Sequence, residues 1–592
     1  MSSTFVHYST PSSLPSDYAL LSRFASSRRN NDNNDSAIEN TEDESDEAEQ
    51  VPEGRLSPRR SSFPAEYIRP LNPTMAPMPS MSANKHKTWS SGSKSVIPSE
   101  NTPLLGPLVP RIEEEVDGED NEERAQAARN IKIRAYWEET KILAKYTLPV
   151  FGSHLLEYSL VIASVVSLGH LSTVALASST LGSMTASVTG FSIIQGFSST
   201  LDTMLPSAWT SSHPNLVGLW SQRMAVVMFT ALIPIIAIWF NSEAILLGLR
   251  QDPEVAHLAS VYLKWLSLGL PAYTFNTISR RYFQSQGLFT VPTQVILAIA
   301  PVNAFLNYLL VWGPAPIRLG YIGAPIATAI SYNLISLFSL LYGIFFVEKT
   351  AWHPLSFRCF TSLGVLVQLG LAGVGQTASE WWSWELIGLA ASLLGPISLA
   401  SQSVLLVSAS STYQAPFALS VATSVRIGNL LGERNANRAR ISAEVSLLIA
   451  LVLAGISSTM FLVFRNSWAY IFNDDPAVVS LVASILPLVA LFQVFDGLSA
   501  CTAGILRARG KQFTGALLNL SAYYIIGIPF GIWLAFKRDM NLAGLWVGLT
   551  VSLVYSATFG VALCLKTDWQ HEVDKVMARL AKDKRVLSHG EP

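Results

Sequence analysis

Two carboxylates sit in the middle of a long apolar run. They are Glu380 and Glu385, in the string Glu380-Trp381-Trp382-Ser383-Trp384-Glu385, and no other charge lies between Leu363 and Gly395. A third acid, Asp496, is the only charge between Pro476 and Arg507. An acid at the centre of a bilayer costs about 2.5–3.5 kcal/mol on insertion scales, so its presence there points to a use. Loss of water favours the neutral form of a carboxyl group, which brings proton exchange within reach of cellular pH. Buried acids beside aromatic rings suit one chemistry in particular, the binding of a cation in competition with protons. The structural alternative is that each acid pairs with polar groups of neighbouring helices. Glu380 and Glu385 are five residues apart, about 140° around an ideal helix. One is therefore expected to face a cavity and the other a neighbouring helix.

Other residues share this ambiguity. Glu157 reads equally as a proton site or as the structural partner of His154 at i−3. Asp202, next to Thr203, reads as a helix tie or a cavity acid. Trp381, Trp382, Trp384 and Tyr413 offer faces for cation–π contact with an organic cation. Aromatic residues also serve as packing and as interface anchors. Arg426 and Arg507 fall at helix ends and read as topological anchors.

These residues need helices to carry them across lipid. The chain of 592 residues is 49% hydrophobic and only 14% charged, against roughly 25% charged in soluble domains. Its net charge of −1 gives no field that would draw nucleic acid. The three cysteines, Cys359, Cys501 and Cys564, share no metal or disulfide spacing. The first 25 residues lack an apolar core, so no cleaved signal peptide is expected. Residues 1–131 are rich in Ser, Pro, Asn and acids and are expected to form a disordered cytosolic tail. Apolar periodicity then predicts twelve helices, over 146–168, 176–208, 217–240, 254–284, 292–311, 323–347, 363–394, 398–428, 442–464, 477–505, 513–536 and 542–565. The expected fold is an all-α integral membrane protein with twelve transmembrane helices in two six-helix lobes, 132–360 and 361–566. Residues 567–592 read as a cytosolic C-terminal tail.

Charge sets the orientation. With the first helix starting from the cytosol, the inside segments hold 22 Lys and Arg residues and the outside loops hold 5. This asymmetry places both termini in the cytosol. The second helix (Gly196 to Trp209) and the eighth (Ala418 to Leu431) correspond at an offset of half the membrane region. Such a repeat implies two six-helix lobes with a cavity between them and alternating access.

Four motifs in order carry a family resemblance: Gly169-His170-Leu171 with Ala175-Leu176-Ala177, Glu380 to Glu385, Ser420 to Gly432 with Arg426, Gly428 and Asn429, and Phe495-Asp496 through Gly504, Arg507, Gly510 and Gln512. Over about residues 145–566 the chain resembles the multidrug and toxic compound extrusion (MATE) family, in its eukaryotic, fungal-like form. The resemblance implies a secondary antiporter that exchanges protons, or Na⁺ as the alternative, for small organic cations. It implies no enzyme activity, no metal and no other cofactor. It marks Glu380 and Glu385 as coupling acids, to which the residues themselves add Asp496 and Glu157, with Trp381, Trp384, Tyr413, Asp202 and Gln402 as cavity candidates. The chain departs from family habit at Asp496, often Glu in relatives, and at Glu157, often Gln.

Two alternatives remain at this stage. A lipid-linked saccharide flippase of the same superfamily would need cationic cavity residues to hold pyrophosphate, whereas the helix centres here are acidic apart from Lys264. A non-transporting receptor or sensor would account for the long tail. No GxxxxGK[ST] loop for ATP is present. In the tail, Glu100-Asn-Thr-Pro-Leu104-Leu105 fits an acidic dileucine signal read by sorting adaptors. It favours the vacuolar or lysosome-like membrane, with the plasma membrane second.

Overall fold

The computed structural model describes residues 118–249, 251–472 and 475–588. By contacts the chain divides into a unit that includes residues 125–592 and a second, Arg28–Arg124. Of the second unit only Gly118–Arg124, the start of the first helix, is described. Glu100, Leu104 and Leu105 lie outside the described residues, as does Arg250.

No strand occurs among the described residues. Lipid offers the backbone no hydrogen-bond partner, so each crossing must satisfy its own amides in a helix. The N-terminal lobe is built from α1 (Gly118–Gly169), α2 (Thr173–Ala186), α3 (Ser192–Ser198), α4 (Leu201–Trp209), α5 (Leu216–Phe240), the short α6 (Ser242–Gly248), α7 (Pro253–Leu266), α8 (Leu270–Ser285), α9 (Thr290–Trp312) and α10 (Gly323–Phe345). The C-terminal lobe follows as α11 (Leu363–Ser392), α12 (Pro396–Gly432), α13 (Ala436–Phe464), α14 (Pro476–Ala508), α15 (Gln512–Leu520), α16 (Ile528–Lys537) and α17 (Asn541–Leu565). A last helix, α18, covers Trp569–Ser588. Helices α2 to α4 form one crossing, joined through a π turn at Ser187–Phe191. Helices α7 and α8 form another, through a 3₁₀ turn at Ser267–Gly269 just before Pro271. Helices α15 and α16 form a third, through a π turn at Ser521–Gly527 just before Pro529.

Twelve crossings result, at the positions the apolar periodicity predicts. Nine of them are long and apolar enough to span a membrane by length and composition. The other three, α2–α4, α7–α8 and α11, carry Asp202, Arg280 with Arg281, and Glu380 with Glu385. Glu157 and Asp496 lie instead in α1 and α14, two of the nine.

The N-terminal boundary differs from expectation. The first helix begins at Gly118, so residues 118–131 are helical and not part of an unstructured tail. Polar composition does not separate a solvated helix from a coil, and GEDNEERAQAAR is rich in strong helix formers. At the other end residues 569–588, expected as a cytosolic C-terminal tail, form α18. Trp569, Val573 and Val576 are buried against the C-terminal lobe.

Each lobe has its own core. One cluster is centred on Phe191, Trp220, Trp239 and Tyr273. The C-terminal lobe holds another around Trp384, Phe461, Phe492 and Trp546, and a third beside α18. The surface is apolar as well: Ile233, Phe345, Phe346, Ile456, Val463 and Ile525 are exposed, as lipid-facing positions should be. Between the lobes, a Cβ on Gly196 would stand 2.5 Å from the backbone of Val374, so only glycine lets α3 lie against α11.

Candidate functional site

Asp496 and Glu380 line one cavity in the C-terminal lobe. Helix α11 supplies Gln376 and Glu380, α12 supplies Tyr413, and α14 supplies Asp496, Ser499, Ala500, Thr502, Ala503 and Leu506. Gly515, Leu518 and Asn519 of α15, Tyr523 of the following π turn and Ser556 of α17 complete it. Gln376 and Glu380 are one turn apart, as are Asn519 and Tyr523, so each pair presents to the cavity from one helix face. A π turn widens the local helix and re-aims its side chains, and such turns recur at functional sites. Here the turn carries Tyr523 into the lining. The free volume is only about 20 Å³, on the scale of one or two ordered waters. In this state the cavity has no room for a drug-sized molecule.

No Lys or Arg lines the cavity. Arg507 lies behind it, three turns along α14 from Asp496, and attracts Glu380 from there. Its side chain is fully buried and donates to Ser420 Oγ at 2.6 Å. Its Nη1 also stands 3.7 Å from Asp202 Oδ2, across the lobe boundary. Arg507 is therefore no surface anchor: its apolar neighbourhood is sealed by the opposite lobe.

Glu385 is buried but does not line this cavity. The separation of Glu380 and Glu385 around the helix is thus realised in the fold. Trp381 and Trp384 also stay out of the lining. Trp381 is buried in the N-terminal core, and Trp384 meets Phe492 and Trp546 edge to face at 5.8 and 6.0 Å. The three tryptophans point to three surroundings, since Trp382 is 44% exposed and donates to Val188 O. Gln402 accepts from Trp546 Nε1 at 2.8 Å and packs away from the cavity. Of the aromatic candidates, Tyr413 alone lines the cavity, and Tyr523 was not foreseen.

The N-terminal acids serve ion pairs. Glu157 pairs with Arg280 and lies 3.2 Å from His154 Nδ1. Asp202 Oδ1 stands 3.0 Å from Arg281 Nε as an ion pair. Neither lines the cavity of Glu380 and Asp496. Asp202 belongs instead to a layer that closes the lobes on one another. Thr203 Oγ1 donates to Arg507 O at 2.8 Å, and Gln512 Nε2 donates to Thr203 Oγ1 at 2.6 Å. Thr210 Oγ1 donates to Asn429 O at 2.8 Å. Gly428 permits the fit, since a Cβ there would stand 2.8 Å from Pro206.

A second tie lies nearby. Glu139 of α1 is fully buried and accepts from Arg426 at 2.7 and 3.0 Å and from Arg438 at 2.7 Å. Glu139 precedes the apolar run of α1, so hydropathy gives no signal for it. Arg426 is accordingly half of a buried ion pair.

Among the described residues, twelve helical crossings in two lobes, with acids buried in both, make a multi-pass membrane protein. Comparison with known proteins identifies which. The MatE family model matches the chain twice, over residues 149–309 and 374–533, one match in each lobe. An uncharacterized transporter of Schizosaccharomyces pombe is 35% identical over 493 residues, 81% of this chain and 91% of that one. Multidrug and toxin extrusion protein 1 of Homo sapiens is 32% identical over 448 residues, 75% of this chain and 78% of that one. The crystal structure of the eukaryotic MATE transporter AtDTX14 superposes with a TM-score of 0.71 at 30% identity, covering 75% of this chain and 99% of that one. The chain belongs to the MATE family of multidrug and toxin extrusion transporters.

Proposed function

We propose that this transporter is a secondary antiporter that exchanges protons for small organic cations, and that Glu380 and Asp496 are its coupling pair. One observation carries the reading: both carboxyl groups line a single cavity with Tyr413 and Tyr523, and no basic side chain lines it among the described residues. Two carboxylates in one small cavity repel, and either a proton or a bound cation relieves the repulsion. The two ligands then compete, and competition at a site that opens alternately to each side is exchange. Tyr413 and Tyr523 supply ring faces and hydroxyl groups suited to an organic cation. The acidic lining speaks against a pyrophosphate-linked substrate.

The Lys and Arg asymmetry supports cytosolic termini, and the dileucine pattern Glu100, Leu104 and Leu105 supports adaptor-directed sorting to a vacuolar membrane. Protons leaving an acidic lumen would then drive substrate inward to the organelle. The test is flux in proteoliposomes with ethidium as the probe cation, under an imposed pH gradient and separately under a Na⁺ gradient. Uptake driven by the pH gradient and lost in Glu380→Gln and Asp496→Asn supports the reading. Uptake that follows Na⁺ alone rejects the proton, and absence of any flux of organic cations rejects the substrate class.

A further inference from the structure

Helix α18 touches both lobes. Its apolar stripe, Trp569, Val573, Val576 and Leu580, follows helical spacing, and the first three are buried against the C-terminal lobe. Glu572, on the same face and 2% exposed, accepts from Arg509 Nη2 at 3.0 Å and stands 3.4 Å from Lys511 Nζ. Burial alone would push the Glu572 carboxyl up, but Arg509, Lys575 and Lys511 outweigh it and hold the group below the usual carboxylate range. The first half of the helix is thus fixed to the loop after α14. The second half reaches across. Arg579 Nη2 donates to Ser207 Oγ at 3.1 Å and to Thr203 O at 3.5 Å, both on α4 of the N-terminal lobe. Leu580 packs against the cores of both lobes.

Helix α4 is the N-terminal lobe's half of the closed layer formed by Asp202, Thr203 and Thr210 with Arg507, Gln512 and Asn429. Any opening on this side must separate α4 from α12 and from the end of α14. The anchored half of α18 must travel with the C-terminal lobe, so the two bonds from Arg579 must break in that movement.

We infer that the C-terminal helix is part of the transporter's cytosolic gate, with Arg579 as the positioning residue that straps the N-terminal lobe closed. This rests on alternation between two lobes and not on which ion drives it. A hydrogen bond from a charged donor is lost without replacement on opening only if Arg579 is present. Its removal should favour the open gate by about tenfold.

Ser424 provides the probe. It is fully buried, one turn deeper on α12 than Gly428, where Pro206 closes the layer. In inside-out vesicles, the labelling rate of Ser424→Cys by an impermeant maleimide is measured over the background of Cys359, Cys501 and Cys564. Adding Arg579→Ala should raise that rate by several-fold to about tenfold. Arg579→Lys should stay near the parent. Ser207→Ala, which removes an acceptor from the other lobe, should act in the same direction by a smaller factor. The pH dependence of exchange should be unchanged in all three, which separates this inference from the role of Glu380 and Asp496. Unchanged labelling in both Arg579→Ala and Ser207→Ala overturns the strap. So does proteolytic release of α18 in Arg579→Ala, because the residue would then be an anchor of the helix and not a latch between lobes.

Discussion

Glu380 and Asp496 are chemically similar to Glu157 and Asp202, yet their surroundings assign them different work. Glu157 and Asp202 each hold an arginine at close range. Glu380 and Asp496 line one cavity whose other described lining residues are uncharged. Glu380→Gln and Asp496→Asn are therefore expected to lower proton-driven exchange by at least about tenfold while leaving the protein folded, because amides keep the shape and remove the titration. Flux at several imposed pH gradients, with size-exclusion profiles as the folding control, reads both. Glu385→Gln should cost less, since Glu385 lies off the cavity. Equal loss in all three variants would contradict that ranking. Glu139→Ala should behave differently again. It leaves Arg426 and Arg438 without their shared carboxylate, and breaking a buried pair from one side costs about 3–5 kcal/mol. Thermal unfolding in detergent should fall markedly, and an unchanged midpoint would show that this tie carries little of the stability.

At the scale of elements, two helices depend on close contact. Gly196 lets α3 lie against the backbone of Val374 in α11. Gly196→Ala should push the second and seventh crossings apart and reduce the yield of monodisperse protein, as overpacking a tight contact does. Helix α18 depends on charge. The folded Glu572 carboxyl titrates below its usual range, so its contribution to docking is fully present above the unfolded value and fades as pH falls through the folded one. Docking should be insensitive to pH between about 6 and 8 and weaken below about pH 4. Proteolytic release of α18 measured against pH reads this, and Glu572→Gln should weaken docking at neutral pH while flattening the profile. A profile unchanged by that substitution would assign the docking to Trp569, Val573 and Val576 alone.

For the whole molecule, the closed layer around Asp202, Thr203, Thr210 and Glu139 joins the lobes on the side that charge asymmetry assigns to the cytosol. The cavity with Glu380 and Asp496 has room for little more than water, so substrate entry requires rearrangement of the helices that line it. Removing residues 1–117 should leave flux within about twofold of the full chain, since that segment has no apolar periodicity with which to complete the membrane region. A larger loss in a correctly inserted truncation would assign the tail a part in gating.

The sequence by itself determined the crossings. Hydropathy over twenty residues reflects a solvent, lipid, that acts on each helix separately, so the number of crossings, the two-lobe repeat and the buried acids were legible without any knowledge of contacts. Charge counting gave an orientation for the same reason. What each polar residue does was decided only by tertiary structure. Glu380-Trp381-Trp382-Ser383-Trp384-Glu385 is one short string, but it feeds a cavity, two separate cores and a lipid-facing surface. Which of its faces meets which neighbour depends on how α11 is rotated against α3 and α14, and no local periodicity encodes that. Arg507 shows the same limit: its position at a helix end suggested an anchor, and only the approach of α4 from the other lobe buries it. Part of the remainder could have been found. Asn519 and Tyr523 stand one turn apart, Arg507 follows Asp496 by three turns on one face, and Trp569, Val573, Val576 and Leu580 form an amphipathic stripe. Each is a periodic signal within one helix, whereas the pairing of Glu139 with Arg426 and of Asp202 with Arg507 joins residues hundreds of positions apart, and only the packing of the two lobes brings them together.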